Sequence, residues 1–583
     1  MASFEPARRL SVAYFSMEIG LDPNVPTYAG GLGILAGDSI RAAADLAIPM
    51  AGITLLHREG YFFQKLLADG WQVEEAAQWD PTEHMAVLPE RAEIAFEGRR
   101  VLIRAWRYDV AGATGHVVPV FLLDTDLPEN SEQDRQITRK LYLSDPAGRL
   151  AQEAVLGVGG VRMLRALGYR QIERCHMNEG HAALLVLELL NEESRRGGLP
   201  ASDPRLLDAV RRRGVFTTHT PVAAGHDRFA MELVRRALEP ALVAPLDSAL
   251  PLLPTCEGGA LNMTTLGFAL SAHINAVAQR HGEVSRSLFP GHRIDAITNG
   301  VHAGTWVATP FADLFDRRFP TWRTDGFVLR CAHTVPLEEI DQAHRRAKRA
   351  LVDLVNWRDN VGFDLQTFTI GFARRATAYK RAELLLSDIA RLKRISAQVG
   401  TIQIVFAGKS HPNDTGGKEM IKRIFAAFAE LRPAINAVYL PNYDMALAQT
   451  LIPGADLWLN TPQPPLEASG TSGMKAALNG VPSLSTLDGW WLEGCIEGVT
   501  GWAIGADTWR VSARVDMDAK ADASRNLADA TFLYDRLEET IVPMFYNEPE
   551  AYLTVMRNAI AVNGSYFTTQ RMMQEYVTRA YVG

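Results

Sequence analysis

The sequence predicts an α/β protein made of two halves, each built around a parallel sheet. Short runs of β-branched and aromatic residues alternate with longer helix-like stretches, which is the pattern of α/β units. Glycine-rich, basic or small-residue segments come directly after several predicted strands. Open parallel sheets bind ligands at the edge where their strands end, so we expect a binding cleft there.

In the first half, strands are predicted at residues 11–15 and 214–218. The first strand leads to a glycine-rich turn at residues 29–33 and a helix-like stretch at residues 38–45. The second strand ends at His219. Both connections place polar or flexible residues at strand ends.

The second half repeats the alternation, with strands predicted at residues 367–372, 402–406, 437–440 and 456–459. A charged, helix-like segment separates the two sets, so we expect one domain at residues 1–335 and a second at residues 336–583. The predicted architecture is GT-B, in which two Rossmann-like domains face an interdomain cleft. Residues 542–582 read as terminal helices with a break at residues 563–564, and the last helix is expected to return to the first domain.

Composition excludes several classes of protein. The net charge of −7 gives no sign of a nucleic-acid or anionic-membrane binder. Four scattered cysteines without a C-x-x-C pair predict neither a zinc site nor a disulfide framework, so no metal is expected. Residues 1–9 lack the apolar core of a signal peptide, and residues 46–56 are too short to span a bilayer. These features predict a cytoplasmic location.

The segment from Glu467 to Lys475 is the most informative in the chain. Residues 468–473 are all small, so their backbone N–H groups can approach an anion closely. A helix-forming stretch follows, which favours a phosphate at its first turn. Glu467 could accept hydrogen bonds from a sugar, while Lys475 could form a salt bridge or an imine with a carbonyl cofactor. A glycine-rich loop with a surface lysine explains the segment about equally well.

A basic loop follows the strand at residues 367–372. It contains Arg374, Arg375, Lys380 and Arg381. Chemistry that brings two phosphates together needs such cations, because they offset the repulsion between the anions. By itself the loop is better explained as the solvated start of a basic helix.

These stretches together resemble the α-glucan phosphorylases, the family acting on glycogen, starch and maltodextrin. The resemblance covers most of the chain and rests on the strings at residues 467–480, 374–381, 297–306, 178–181, 69–76 and 442–443. It implies pyridoxal 5′-phosphate held as a Schiff base by Lys475. Arg374 stands where the family usually has lysine, so charge is kept but shape is not.

The resemblance also assigns residues to roles. The implied catalytic residues are Lys475, Arg375 and Lys380. The implied cofactor-binding residues are Lys475, Arg374, Thr471, Ser472, Tyr443 and Trp306. The implied substrate-binding residues are Gly31, Leu32, Asn299, His219, Glu467, Ser469, Gly470, Glu179 and His181. Taken singly, Trp306 reads as a core residue, His219 as a structural histidine and Asn178 as a helix N-cap.

The implied reaction is retaining phosphorolysis of a terminal α-1,4-linked glucosyl unit to α-D-glucose 1-phosphate. The partners are a glucan and inorganic phosphate, with a homodimer as a further expectation. The N-terminal regulatory extension of longer relatives is not expected here, because the first strand begins almost at once. Two alternatives stay open: a GT-B transferase using a nucleotide sugar, and a glucan-binding protein without catalysis.

Overall fold

The computed structural model describes residues 8–222, 225–253, 255–505 and 519–582. It confirms the predicted α/β fold with two open sheets, one in each half of the chain. The predicted domain division after residue 335 falls between the two sheets, and its position stays a prediction. The sequence predicted that residues 1–9 are not a signal peptide. Residues 1–7 of that segment lie outside the described residues.

The first half contains fourteen strands among the described residues. They are β1 (Arg8–Ser16), β2 (Met50–Leu55), β3 (Phe63–Leu66), β4 (Gln72–Glu75), β5 (Ala86–Phe96), β6 (Arg99–Ala111), β7 (Val117–Asp124), β8 (Tyr169–Asn178), β9 (Gly214–Thr217), β10 (Arg228–Ala230), β11 (Cys256–Glu257), β12 (Ala260–Asn262), β13 (His273–Ala276) and β14 (Asp295–Ala296). Nine form one sheet in the order β14-β13-β9-β8-β1-β2-β7-β6-β5. Only the pairings of β6 with β5 and with β7 are antiparallel in that sheet.

The second half contains six described strands. They are β15 (Phe368–Ala373), β16 (Ile402–Ala407), β17 (Asn436–Leu440), β18 (Leu457–Asn460), β19 (Ser483–Thr486) and β20 (Gly501–Ile504). All pair in parallel, in the order β17-β16-β15-β18-β19-β20. Counted from β15, this is the 3-2-1-4-5-6 order of a Rossmann sheet, whose strand order reverses between β15 and β18.

Helices cover the faces of both sheets. In the first half they are α1 (Gly31–Asp45), α2 (Glu132–Arg135), α3 (Pro146–Ala154), α4 (Gly160–Ala166), α5 (Leu185–Gly197), α6 (Pro204–Arg213), α7 (Met231–Ala237), α8 (Pro240–Ala249), α9 (Met263–Ala269), α10 (Gln279–Leu288), α11 (Ala303–Trp306) and α12 (Thr309–Arg318). In the second half they are α13 (Leu337–Asp359), α14 (Ile389–Gln398), α15 (Thr415–Leu431), α16 (Met445–Gly454), α17 (Ser472–Leu478), α18 (Trp491–Gly494), α19 (Ala519–Arg536), α20 (Val542–Asn547), α21 (Pro549–Asn558) and α22 (Thr569–Tyr576).

Helix α1 begins inside the glycine-rich turn, earlier than predicted from the sequence. Its small residues allow close packing against the end of β1, since a Cβ added to Gly37 would lie 2.0 Å from the Gly20 carbonyl oxygen. Strand β1 shows why this half is layered: Val12 and Tyr14 join the core under α1, while Ala13 and Phe15 join the core on the opposite face. That alternation follows from the two-residue period of a strand.

The C-terminal helix returns to the first half, as predicted. The Tyr581 hydroxyl lies 2.7 Å from His176 Nδ1, and the Tyr576 hydroxyl lies 3.0 Å from Thr217 Oγ1. The predicted break at residues 563–564 was wrong, because the helical turns continue through Gly564. The helical conformation stops at residues 567–568 instead. There the backbone pairs with Val301 before α22 begins.

The hairpin β3–β4 of the first half is clamped onto the second half. The Gln64 amide group donates to the Gly408 carbonyl oxygen at 2.9 Å and accepts from the Asn442 N–H at 2.8 Å. Gln72 makes the same two kinds of bond with the backbone of Ser410. Because Gly408 and Ser410 follow β16 and Asn442 follows β17, the hairpin fixes the strand-end loops of the second sheet. Within the described ranges, no helix combines the length and apolarity needed to cross a membrane.

Candidate active site

Lys475 lies on α17, at the edge where the strands of the second sheet end. The predicted helix is present, but it begins at Ser472, inside the small-residue run at residues 468–473 and not after it. The Lys475 Nζ atom is 3.4 Å from the ring centroid of Trp306. Asn479 joins the same two segments, because its amide nitrogen donates to the carbonyl oxygens of Trp306 and Lys475, both at 2.8 Å. The lysine is therefore held against an aromatic face.

The environment of Lys475 favours its neutral form. The side chain is buried, and burial lowers the pKa of Lys475 to about 8. The negative charge of Asp38 opposes this decrease and the positive charge of Arg41 adds to it. A buried amine with a lowered pKa is a better nucleophile at neutral pH than an exposed lysine. The alternative interpretation of Lys475 as a surface lysine is wrong.

Asp38 was not identified from the sequence. It is almost fully buried in α1, and its Oδ2 atom accepts hydrogen bonds from Trp306 Nε1 at 2.7 Å and from the His302 N–H at 3.2 Å. Trp306 thus lies between the carboxylate and the lysine, so it is more than a core filler. An acid within the apolar stretch of α1 was the only local signal.

The basic loop and Glu467 meet in one buried cluster. Glu467 Oε2 lies 2.5 Å from Lys380 Nζ and 2.9 Å from an Arg374 guanidinium nitrogen. Burial alone would raise the pKa of Glu467, but Arg374 and Lys380 hold it below its usual value. The interpretation of these cations as a solvated helix start is therefore wrong, since both are buried against a carboxylate.

Asp488 follows the end of β19 and is hydrogen-bonded to the backbone of this cluster. Its two carboxylate oxygens accept hydrogen bonds from the N–H groups of Glu467 at 2.8 Å and Gly489 at 2.9 Å. Burial, with a further contribution from the Glu467 charge, raises the pKa of Asp488 to about 7. Asp488 has no distinctive signal in the sequence, where it looks like an ordinary turn residue before glycine.

Arg375 is exposed, in contrast to Arg374. Its charge acts on Tyr61 and Glu18 of the first half, and it forms a side-chain hydrogen bond with Tyr61. Glu18 in turn accepts hydrogen bonds from the N–H groups of Ala29 and Gly30 and from the Tyr142 hydroxyl. The basic loop of the second half therefore faces the glycine-rich turn of the first half.

Gly31 and Leu32 are the first two residues of α1. Their N–H groups belong to the first helical turn, where no carbonyl four residues earlier is available as an acceptor within the helix. A Cβ added to Gly31 would have no atom within 4 Å in the described structure, so the turn is open on that side. This geometry is compatible with the predicted anion or sugar contact.

On the first-half side, His219 and Glu179 hold each other in place. The His219 ring lies 2.6 Å from Asn178 Oδ1 through its Nε2 atom, and its backbone N–H donates to Glu179 at 2.8 Å. Glu179 also accepts from the Thr220 hydroxyl and caps the turn at Gly180–Ala182. Asn178 is the end of β8, so the helix N-cap expected there was misplaced by one residue.

Several polar side-chain atoms in this region, His181 Nδ1 among them, are buried without a partner among the described residues. Asn299 Oδ1 and Ser469 Oγ have no hydrogen-bond partner among the described residues. Unsatisfied buried polar atoms are costly and rare, and each requires an explanation such as a bound ligand. Both residues were predicted to contact the sugar, and both therefore fit a polar ligand.

Three further residues of the small-residue run build the loop before α17. Ser472 Oγ contacts Trp458 Nε1 at 3.1 Å and Asn460 Oδ1 at 3.3 Å, whereas Thr471 precedes α17 without a side-chain cap. Gly470 has φ of 84°, which favours glycine, and its position lets the chain turn from Glu467 toward α17. These contacts build the loop and leave its ligand contacts as predictions.

Tyr443 and His181 lie at opposite sides of the cleft. Burial raises the pKa of Tyr443, and the nearby Arg374 charge opposes this shift, so Tyr443 lies beside the basic loop. His181 Nε2 is 3.5 Å from Asp227, and burial lowers the pKa of His181 to about 4. In the described ranges, no group of three or more histidine, cysteine or acidic side chains is arranged to hold a metal ion.

Comparison with known proteins identifies the family. Residues 247–580 match the model of the carbohydrate phosphorylase family. The chain is 38% identical to maltodextrin phosphorylase of Thermococcus litoralis, over 98% of this chain and 70% of that protein. It is 31% identical to glycogen phosphorylase of Aquifex aeolicus, over 100% of this chain and 87% of that protein.

This chain belongs to the carbohydrate phosphorylase family. An uncharacterised protein of Methanocaldococcus jannaschii is 30% identical over 98% of this chain and 99% of that protein, so the likeness includes a relative of similar length. The predicted membership and the predicted enzyme class are confirmed. In this member of the carbohydrate phosphorylase family, Lys475 and the basic loop lie at one edge of the second sheet.

Proposed function

We propose that this chain is an α-glucan phosphorylase that uses pyridoxal 5′-phosphate. It transfers a terminal α-1,4-linked glucosyl unit to inorganic phosphate, with retention at the anomeric carbon, and releases α-D-glucose 1-phosphate and a shortened glucan. The names of its relatives support a glucan substrate. One observation supports the proposal above all: the buried Lys475 amine lies on an indole face at the strand-end edge that also holds the cationic loop.

The residues fit the proposed cofactor. The lowered pKa of Lys475 and the adjacent Trp306 ring suit an aromatic aldehyde, and Arg374 and Tyr443, which lie beside each other, would hold its phosphate. The unpartnered Ser469 hydroxyl and the open first turn of α17 add polar groups. Thr471 and Ser472 complete the proposed set. When bound, the cofactor supplies a phosphate group that can exchange a proton with the substrate phosphate.

The substrate phosphate is the nucleophile, and the chain's cations hold it. Arg375 and Lys380 bind its oxygens, and the Gly31 N–H supplies a neutral donor. These positive groups offset the repulsion between phosphates and stabilise the substrate phosphate next to the positively charged, oxocarbenium-like transition state. Because Arg375 is exposed while Lys380 is paired with Glu467, we assign Arg375 the larger part in capturing phosphate.

The sugar is oriented by groups from both halves. Asn299 and Ser469 present their unpartnered polar atoms, while His219, Glu467, Leu32 and Gly470 shape the same pocket. Burial lowers the pKa of His219 to about 3, so its ring is neutral and can donate or accept a hydrogen bond. Glu179 and His181 line the side that receives the rest of the glucan.

The bond changes balance within the two substrates. The glycosidic bond between C1 and the departing oxygen breaks, and a phosphate oxygen bonds to C1 on the same face. The departing oxygen receives its proton from the substrate phosphate. The described residues exclude water from this step by burying Lys380, Glu467 and Lys475.

The remaining assignments are part of the same proposal. Two domains meet at residues 335 and 336, a homodimer forms, and the protein acts in the cytoplasm on glucan rather than on nucleic acid or membranes. The preferred glucan length needs a comparison of maltose, longer maltodextrins and glycogen as substrates. Each of these points can be tested separately from the reaction.

The decisive test uses the purified full chain with a maltodextrin and inorganic phosphate. We expect glucose 1-phosphate release that depends on phosphate, together with one pyridoxal 5′-phosphate that borohydride fixes to Lys475. Consumption of ADP-glucose by cofactor-free protein would instead support a nucleotide-sugar transferase. Bound cofactor without phosphate-dependent turnover would support a non-catalytic glucan-binding protein.

Substitution of Arg375 tests the phosphate assignment. Arg375→Ala removes a charge-assisted contact, so the KM for phosphate should rise about 10- to 100-fold while the cofactor stays bound. The matched control is Arg345→Ala, which removes an exposed arginine paired with Asp341 on α13. An unchanged phosphate dependence in Arg375→Ala would remove Arg375 from its role.

A further inference from the structure

The surroundings of Lys475 contain few ionisable groups. The elements packed against α17 are α11, α16, β18, β19 and the helical turns at Ala559–Gly564. None of these segments contains an acidic or basic side chain. The charged groups that act on the amine both come from α1 of the other half, namely Asp38 and Arg41.

Asp38 and Arg41 are themselves held rigidly. Arg41 lies 3.4 Å from Asp38 Oδ1 and donates to the carbonyl oxygens of Gly20 and Leu21. The second Asp38 oxygen accepts from Trp306 Nε1 at 2.7 Å, and Trp306 carries the Lys475 Nζ on its ring face. A buried carboxylate, an indole and an amine thus form one continuous contact between the two halves.

We propose that Asp38 and Arg41 are positioning residues whose opposite charges set how readily the Lys475 amine loses its proton and attacks the cofactor aldehyde. This inference rests on the proposed function, in that the aldehyde is that of pyridoxal 5′-phosphate. The neutral amine adds to the aldehyde carbon and one water leaves as the C=N bond forms. Burial favours that neutral amine, and the charge pair adjusts how much of it is available.

The two charges act in opposite directions. Asp38 stabilises the ammonium form and so raises the pKa of Lys475, whereas Arg41 destabilises it and lowers the pKa. Removing Asp38 should therefore increase the fraction of neutral amine below the pKa, and removing Arg41 should decrease it. A role confined to packing predicts no such opposition.

The experiment measures the titration of Lys475 in the full-length protein resolved from its cofactor. Competitive labelling with acetic anhydride across pH, read by peptide mass spectrometry, gives the apparent pKa of the amine. The rate of borohydride-trapped attachment of pyridoxal 5′-phosphate, measured across the same pH range, gives a second reading. The variants are Asp38→Asn, Arg41→Gln and Asp38→Glu, with Asp45→Asn as the control, because Asp45 is buried on the same helix but pairs with His302.

We expect the apparent pKa of Lys475 to fall by about one unit in Asp38→Asn, which is about tenfold more neutral amine below the pKa. It should rise in Arg41→Gln, return toward the parent value in Asp38→Glu and stay unchanged in Asp45→Asn. Equal values in all proteins, or shifts of the same sign in Asp38→Asn and Arg41→Gln, would overturn the inference.

The outcomes separate this inference from the proposed function. If the parent protein takes up no pyridoxal 5′-phosphate, the proposed function fails, but the acetic anhydride titration still decides whether the charge pair acts on Lys475. If Asp38→Asn does not fold, as judged by circular dichroism, Arg41→Gln and Asp38→Glu retain the test of sign and of rescue.

Discussion

The two edges of the second sheet treat buried charge in different ways. At the edge where the strands start, Lys348 lies 2.6 Å from Asp456, whose other oxygen lies 2.8 Å from His344. Burial alone would raise the pKa of Asp456, but Lys348 and His344 hold it below its usual value. Every charge in this group therefore has an ionic partner in direct contact.

At the edge where the strands end, the buried Lys475 and Asp488 have no such ionic partner among the residues that the structure describes. Lys475 contacts an indole face, and Asp488 is hydrogen-bonded by backbone N–H groups only. Burial consequently moves both pKa values toward neutrality, to about 8 for Lys475 and about 7 for Asp488.

The strand-end edge also holds the compensated cluster of Glu467, Arg374 and Lys380, so the contrast concerns Lys475 and Asp488 alone. A compensated charge contributes to the fold and resists titration, whereas a group whose pKa is moved toward neutrality can exchange a proton under physiological conditions. The sheet places the second kind at the edge where Rossmann folds bind ligands. The following substitutions test that division, from the largest expected effect to the smallest.

Lys475→Ala should have the largest functional effect. Without its amine the chain cannot hold the cofactor covalently, so we expect loss of the borohydride-fixed pyridoxyl group and of glucose 1-phosphate release. The fold should survive, because no carboxylate of the described part of the chain is in direct contact with Lys475 and would be left unpaired. Cofactor content and phosphorolysis measure the effect, and activity that persists without bound cofactor would contradict the assignment.

Lys348→Met should have the opposite effect: it should lower the stability of the fold and leave cofactor binding unchanged. The substitution leaves the Asp456 carboxylate buried without its lysine partner. Removal of one partner of a buried ion pair lowers the free energy of unfolding by about 3–5 kcal/mol. We therefore expect a lower thermal midpoint, measured by calorimetry, with normal cofactor content per folded molecule. Loss of cofactor from folded Lys348→Met protein would show that the two edges are not separable.

The sequence was sufficient for features that depend on local patterns. Strand positions and the presence of α17 follow from patterns within short segments, whereas the resemblance to the phosphorylases is what singles out Lys475. The position of Glu467 beside Arg374 and Lys380 could not be derived in this way, because their separation along the chain hides the contact. Local periodicity identifies helices and strands. It does not identify which side chains come into contact when those helices and strands pack together.

The contributions of the first half were the hardest to predict. Asp38 reaches Trp306 across more than two hundred residues, and Gln64 and Gln72 bind loops more than three hundred residues away. Both sets of contacts depend on tertiary packing, and those of the two glutamines also require the two halves to meet. Their local signal is weak, since an acid in an apolar helix and two glutamines in a hairpin each have ordinary surface explanations.

Asp488→Asn should give the smallest effect, visible in the dependence of stability on pH. The folded protein binds the Asp488 proton more tightly than the unfolded chain, because the pKa of Asp488 is raised to about 7. This contribution to the free energy of unfolding is present below the unfolded pKa of about 4 and is lost as pH rises through about 7. The thermal midpoint of the parent should therefore fall between pH 5 and pH 8 by about 2–4 °C more than that of Asp488→Asn. The exposed substitution Asp353→Asn is the control, and identical pH profiles for parent and Asp488→Asn would place Asp488 with the compensated charges of the opposite edge.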